Sequence, residues 1–212
     1  MHESETVGAF AFAPLLLVAC SAVIGLSGLL GWGLDIVALT RGMPEFQSMV
    51  PSTAFSFVLL CAAFAFGWTC DGGWRARLAY GGVFTVVAIV LVNLSCYLFL
   101  GHGGLDALVL GEALGADHMA VATGIGLLMA CYCVIGLMAP DNPDIDGPVY
   151  FAIAGVSTSL GVIAGHVVDA RTIYEIGVFH GMSANSALAF FFFFSAVLVF
   201  PFDRTGRSVF RD

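Results

Sequence analysis

Met49-Val50-Pro51-Ser52-Thr53-Ala54-Phe55-Ser56-Phe57 returns, about 130 residues later, as Met182-Ser183-Ala184-Asn185-Ser186-Ala187-Leu188-Ala189-Phe190. In both, a hydroxyl residue stands four positions after the methionine, and small residues then alternate with larger ones. The residues just before agree as well, Phe46-Gln47-Ser48 against Phe179-His180-Gly181. A weaker third copy lies between them, Asp117-His118-Met119-Ala120-Val121-Ala122-Thr123-Gly124-Ile125-Gly126-Leu127. An aspartate precedes each methionine by 13 or 14 positions: Asp35, Asp106 and Asp169. Self-similarity of this kind marks a chain assembled from like units.

Outward from these phrases the chain is apolar. Of its 212 residues, 59% are hydrophobic and only 10% charged, with a mean hydropathy of +0.98, which excludes a water-soluble globular domain. The charges fall in short clusters between apolar windows at about 9–34, 51–68, 78–101, 120–139, 148–168 and 183–202. Each window is near the ~20 residues that a helix needs to cross ~30 Å of hydrocarbon. The expected fold is therefore all-α and integral to a membrane, with about six transmembrane helices in a single domain, 1–212. Each copy of the phrase ends one window, crosses a short loop and opens the next. That pattern predicts three tandem hairpins running in the same direction, at about 9–68, 78–139 and 148–202, with a short tail, 203–212. Parallel repeats allow a pseudo-threefold axis along the membrane normal, unlike the inverted repeats of many transporters.

Charge gives the expected orientation. All seven basic residues are arginine. Arg75, Arg77, Arg204, Arg207 and Arg211 fall on one side of the predicted spans, Arg41 and Arg171 on the other. The positive-inside rule then puts both termini in the cytoplasm, with the chain in a bacterial inner membrane. The acidic Met1-His2-Glu3-Ser4-Glu5 start is unlike a secretory leader, so the first apolar segment is expected to remain as a helix. A net charge of -8 without a basic stripe argues against nucleic acid as a partner. Cys20, Cys61, Cys96, Cys131 and Cys133 lie in apolar segments, with Cys70 just after one, and read as small core residues. Cys131 and Cys133 point to different helix faces.

The hydroxyl positions suggest helix caps. Ser52 or Thr53, Thr123, and Asn185 or Ser186 stand where the chain turns into a helix, where side-chain oxygens accept from the first turn's unpaired N–H groups. Met49, Met119 and Met182 precede them, where an apolar residue folds back on that turn. Ala54, Gly124 and Ala187 leave room for close helix contacts.

These residues also carry a resemblance. Gly31-Trp32-Gly33-Leu34-Asp35-Ile36, followed by Met49 to Phe57, resembles the membrane-embedded sensory region of certain bacterial histidine kinases and diguanylate cyclases, in which an M-x-P-N-T-A-L-x-F phrase recurs in successive hairpins. Met182 to Phe190, closing with Pro201-Phe202-Asp203-Arg204, resembles the last hairpin of that region. The resemblance covers nearly the whole chain and implies a sensor-type protein that takes part in signal transduction by binding a ligand or a partner protein in the membrane. In that family the last helix feeds an output module, whereas this chain ends at Asp212, so signalling through a protein partner is expected. The alternative is an accessory subunit of a respiratory or photosynthetic complex, contacting lipid, quinone or pigment.

For chemistry the sequence offers little. It has no Gly-x-Ser-x-Gly elbow, His-Glu-x-x-His or phosphate-binding loop, and no enzyme activity is expected. His102, His118, His166 and His180 lie toward the outer half; His118, Met119, His180 and Met182 are soft-metal candidates for copper, and the histidines for haem, against a reading as interfacial histidines. Asp35, Asp106 and Asp169 either line an outer cavity, with raised pKa, or terminate their helices. Asn93 is expected to tie two helices. The run Phe190 to Phe194 reads as lipid-facing, or as a surface for a carotenoid, quinone or other pigment. Trp32, Trp68 and Trp74 sit where an aromatic belt belongs.

Overall fold

The computed structural model describes residues 3–42, 46–68, 73–101, 104–114, 117–138, 146–168 and 182–200. Among these residues there are helices and connecting turns, and no strand. The helices are α1 (Glu3–Gly33), α2 (Val37–Arg41), α3 (Pro51–Trp68), α4 (Trp74–Leu100), α5 (Gly104–Leu110), a 3₁₀ turn (Gly111–Leu114), α6 (Val121–Met138), α7 (Asp146–Val167) and α8 (Ala184–Leu198).

Local chemistry accounts for the boundaries. Proline opens α3, in the first turn, where a missing N–H costs no intrahelical bond. α4 begins after Gly73 and stops at Gly101, whose left-handed φ of 70° is the usual helix-ending conformation of glycine. α7 carries Asp146 in its first turn, where a negative charge matches the helix dipole. At the end of α1 the Ile36 N–H donates to the Gly31 carbonyl at 2.8 Å, and Asp35 takes φ 55°. This is the left-handed closing turn in which glycine is usual, here occupied by aspartate.

Four stretches are long and apolar enough to cross a membrane: Phe12–Gly33, Trp74–Leu100, Val121–Met138 and Asp146–Val167. Pro51–Gly67 and Ala184–Leu198 are apolar but shorter. The protein is thus an all-helical, multi-pass membrane protein. The apolar windows expected from the sequence coincide with α1, α3, α4, α6, α7 and α8. The short helices α2 and α5 in the connections were not foreseen, because five to seven residues carry too little periodicity to register.

Packing sorts the long helices into two kinds. α1 packs against α3 and α8, α4 against α3 and α6, and α7 against α6 and α8. α3, α6 and α8 also touch one another, whereas among the described residues α1, α4 and α7 do not. The first three therefore form a centre and the others lie around it. Burial agrees: half of the span window of α6 is buried, against 28%, 22% and 28% in α1, α4 and α7.

The centre is aromatic. Phe57 of α3 meets Phe190 of α8 edge-on with centroids 4.6 Å apart, and Phe64 meets Phe193 at 6.0 Å. Phe190, Phe193 and Phe194 are all buried. The phenylalanine run is therefore only partly on the outside, and its expected lipid-facing role fails for these three rings. α8 is a central helix, and neighbouring glycines make room for them. A Cβ on Gly126 would lie 2.7 Å from the Phe190 ring, and one on Gly155 would fall on the ring carbons of Phe194. Cys131 and Cys133, both buried, face different neighbours: one thiol reaches the Val83 carbonyl of α4, the other the Pro148 carbonyl of α7.

Candidate functional site

Two features stand out: a polar end where the repeated phrases meet, and an apolar cleft among α6, α7 and α8.

The helices α3, α6 and α8 start in the same register. The amides of Ala54, Gly124 and Ala187 donate to the carbonyls of Val50, Ala120 and Ser183, at 3.0, 3.0 and 3.1 Å. The cap residue thus directly follows the methionine in each copy. Ser52, Thr53, Thr123, Asn185 and Ser186 lie inside the first turn, not at the cap, which corrects the expected capping positions. The ladder opens one residue after methionine because the cap residue is still extended, as Ser183 shows with φ -75° and ψ 152°. The Ser183 hydroxyl accepts from the Ser186 N–H at 3.1 Å, so Ser183 is the side-chain cap of α8. Met49, Met119 and Met182 are equally buried just before the turns. A Cβ on Gly28 would lie 3.3 Å from the Met49 sulfur, which places that thioether against α1.

At α3 the capping role is filled from a distance. Asp106, on α5 and only 2% exposed, accepts the Ser52 N–H at 2.8 Å and the Ser52 hydroxyl at 2.5 Å. Asn93 of α4 donates to the same hydroxyl at 2.9 Å and accepts the Leu105 N–H at 2.8 Å. Gly104 completes the arrangement: its φ is +60°, and a Cβ there would press on Asn93. Asn93 is thus the tie between elements that the sequence suggested. Burial pushes the Asp106 carboxyl above the ordinary carboxylate range, partly offset by the two bonds from Ser52. Asp35, by contrast, is exposed. The two aspartates share a spacing but not a role, since one ends α1 and the other anchors the start of α3. Asp169, Arg171, His102 and His180 lie outside the described residues.

A second set of bonds joins the three phrases. Asp117, 6% exposed, accepts from Arg41 at 2.6 Å and from the Ser48 hydroxyl at 2.6 Å. Arg41 and Ser48 precede the first phrase and Asp117 precedes the second. The side-chain amide of Asn185, in the third, donates to the carbonyls of Leu39 and Thr40 at 3.1 and 3.3 Å. The Trp32 indole donates to the Met49 carbonyl at 2.8 Å. In sequence Asp117 stood only as the first residue of the weaker copy; the available signal was an acid two positions before Met119, in a connection expected on the same side as the one that holds Arg41.

Of the candidate metal ligands, His118, Met119 and Met182 fall within the described residues. His118 is stacked on Tyr97, with centroids 4.6 Å apart, and Met119 is buried beside it in sequence. His166 lies edge-on to Phe46 and its Nδ1 is 2.9 Å from the Val162 carbonyl. Among the described residues no group of three or more His, Cys, Asp or Glu could hold a metal ion.

The apolar cleft has a volume of about 190 Å³. Its floor is formed by Gly126, Gly155, Phe190 and Phe194, and Met182 closes part of it. Ile125 and Thr158, both exposed, stand at its rim between α6 and α7. The Ser159 hydroxyl in its wall donates to the Gly155 carbonyl at 2.7 Å.

Comparison with protein-family models, with curated proteins and with solved structures returned no match for this chain.

Proposed function

From this geometry, we propose that the protein is a non-catalytic membrane protein of sensor type, in which three like-oriented hairpins cross a bacterial inner membrane six times and present a tied outer end to a ligand or partner protein. The observation that carries the reading is the meeting of the three methionine-led turns at one end, through Arg41 with Asp117 and Asn185 with the Leu39 and Thr40 carbonyls. α3, α6 and α8 each open from such a turn and pack together, with α1, α4 and α7 each in contact with two of them. That arrangement is what three parallel hairpins about a common axis would produce. It supports counting the two shorter apolar helices as spans: a central helix is surrounded by protein for part of its length and needs less hydrocarbon match.

On this reading the tied end faces outward and both termini are cytoplasmic, following the arginine distribution. The resemblance to kinase and cyclase sensory regions supplies the signalling role.

Reporter fusions in the segments near residues 43, 71, 102, 142 and 175 and after 203 test the topology. Alternating outside and inside signals, with 43, 102 and 175 outside, are expected; two successive segments on one side would refute it. Mild isolation from the native membrane tests the role. Stoichiometric capture of a kinase or cyclase supports sensing, whereas a detergent-resistant association with an energy-transducing complex would replace it with the accessory-subunit reading.

A further inference from the structure

We infer that the cleft among α6, α7 and α8 is a binding site for one hydrocarbon chain of a bilayer phospholipid. The inference stands on the cleft alone and does not depend on the sensor reading. The cleft is bounded by glycine backbone, phenylalanine rings and a methionine, and its rim, at Ile125 and Thr158, opens on the outer face of two membrane-spanning helices. In a bilayer that face is covered by lipid chains. Phe190 and Phe194 at the base of the cleft are already buried, so the apolar surface that an entering chain would cover, with a gain of dispersion contacts, is chiefly that of Ile125 and its neighbours at the rim.

Size and polarity select the occupant. An apolar cavity of ~150 Å³ holds one benzene ring. At about 190 Å³ the cleft takes one such ring or a short run of methylenes, and a tetrapyrrole macrocycle does not fit. A quinone head needs donors for its two carbonyls. The Ser159 proton is already committed to the Gly155 carbonyl, which leaves the Thr158 hydroxyl at the rim, among the described lining residues, as the one side-chain donor for two quinone carbonyls. An unsubstituted chain asks for no hydrogen bond, and the glycines at 126 and 155 give it a smooth wall. The site exists because of those glycines, which let the rings of α8 settle against α6 and α7 instead of filling the space between them.

The test uses the full chain reconstituted in phosphatidylethanolamine and phosphatidylglycerol bilayers, doped with a phospholipid carrying a photoreactive diazirine in mid-chain. After irradiation and digestion, adducts are expected to concentrate on peptides containing Met182, Phe194 and Met129, which also lines the cleft, about tenfold over the exposed Leu91 and Phe99 of α4. Native mass spectrometry should show one retained phospholipid, lost when Ala122→Leu and Thr158→Leu fill the cleft. Labelling spread evenly over the outer helices would overturn the inference. So would a retained mass belonging to a quinone or carotenoid, or equal retention by the folded double variant. Because the labelling map is obtained on the unaltered protein, a double variant that does not fold leaves that map to decide.

Discussion

Removing the Asp106 carboxylate tests how the polar end is held. In Asp106→Ala, the Ser52 N–H in the first turn of α3 loses its acceptor, and the Ser52 hydroxyl loses one of its partners, both in buried surroundings. A buried polar group left unpaired costs about 1–3 kcal/mol, and loss of a helix-capping acceptor ~0.5–2 kcal/mol. These descriptions overlap, so the expected loss is about 1–3 kcal/mol. Asp106→Asn keeps one oxygen for the amide and removes the charge, and should cost under ~1.5 kcal/mol. The pH dependence separates the variants further. Burial raises the folded-state pKa of Asp106 above its unfolded value, so the folded protein holds this proton more tightly. Its contribution is therefore fully present below the unfolded pKa of ~3.9 and is lost as pH rises through the folded value. Unfolding in nanodiscs, followed by tryptophan fluorescence across that window, should show a downward slope with pH that is weaker in Asp106→Asn. An alanine variant within ~0.5 kcal/mol of the parent, or identical slopes for the parent and the asparagine variant, would refute the reasoning.

Gly155→Ala should destabilise by about 1–3 kcal/mol, because its new methyl falls on the Phe194 ring, and Phe194→Leu should recover part of the loss; Gly161→Ala, with open space around it, is the control that should not destabilise. A double-mutant cycle on Arg41→Ala and Asp117→Asn, read by the same unfolding assay, should give a coupling of about 1 kcal/mol that falls in high salt, since the arginine side chain is 34% exposed. Asp35→Gly should leave α1 intact and raise stability by ~0.5–1 kcal/mol, because glycine adopts the left-handed turn at φ 55° without a Cβ penalty. A drop in stability on that change would show that the Asp35 side chain has a role beyond the turn.

Much of the architecture could be read from the chain. Continuous apolar stretches had to become helices, because inside hydrocarbon each backbone polar group must be paired within its own segment, and that rule depends only on local sequence. The same locality made the methionine-led turns visible, with Pro51 opening α3 and Gly101 closing α4. Hydropathy could not say which helices are central, since all six are apolar on every side. That choice came from shape: Gly126 and Gly155 admit the rings of Phe190 and Phe194, which with Phe193 lie inside instead of against lipid. Nor could spacing separate Asp35 from Asp106. Their different roles rest on partners far along the chain, with Ser52 lying 54 residues before Asp106, and likewise Asn185 finds its acceptor in Leu39 across 146 residues. Such bonds form only after the helices have packed, so it is tertiary structure that decides which polar side chains hold the end of the bundle together.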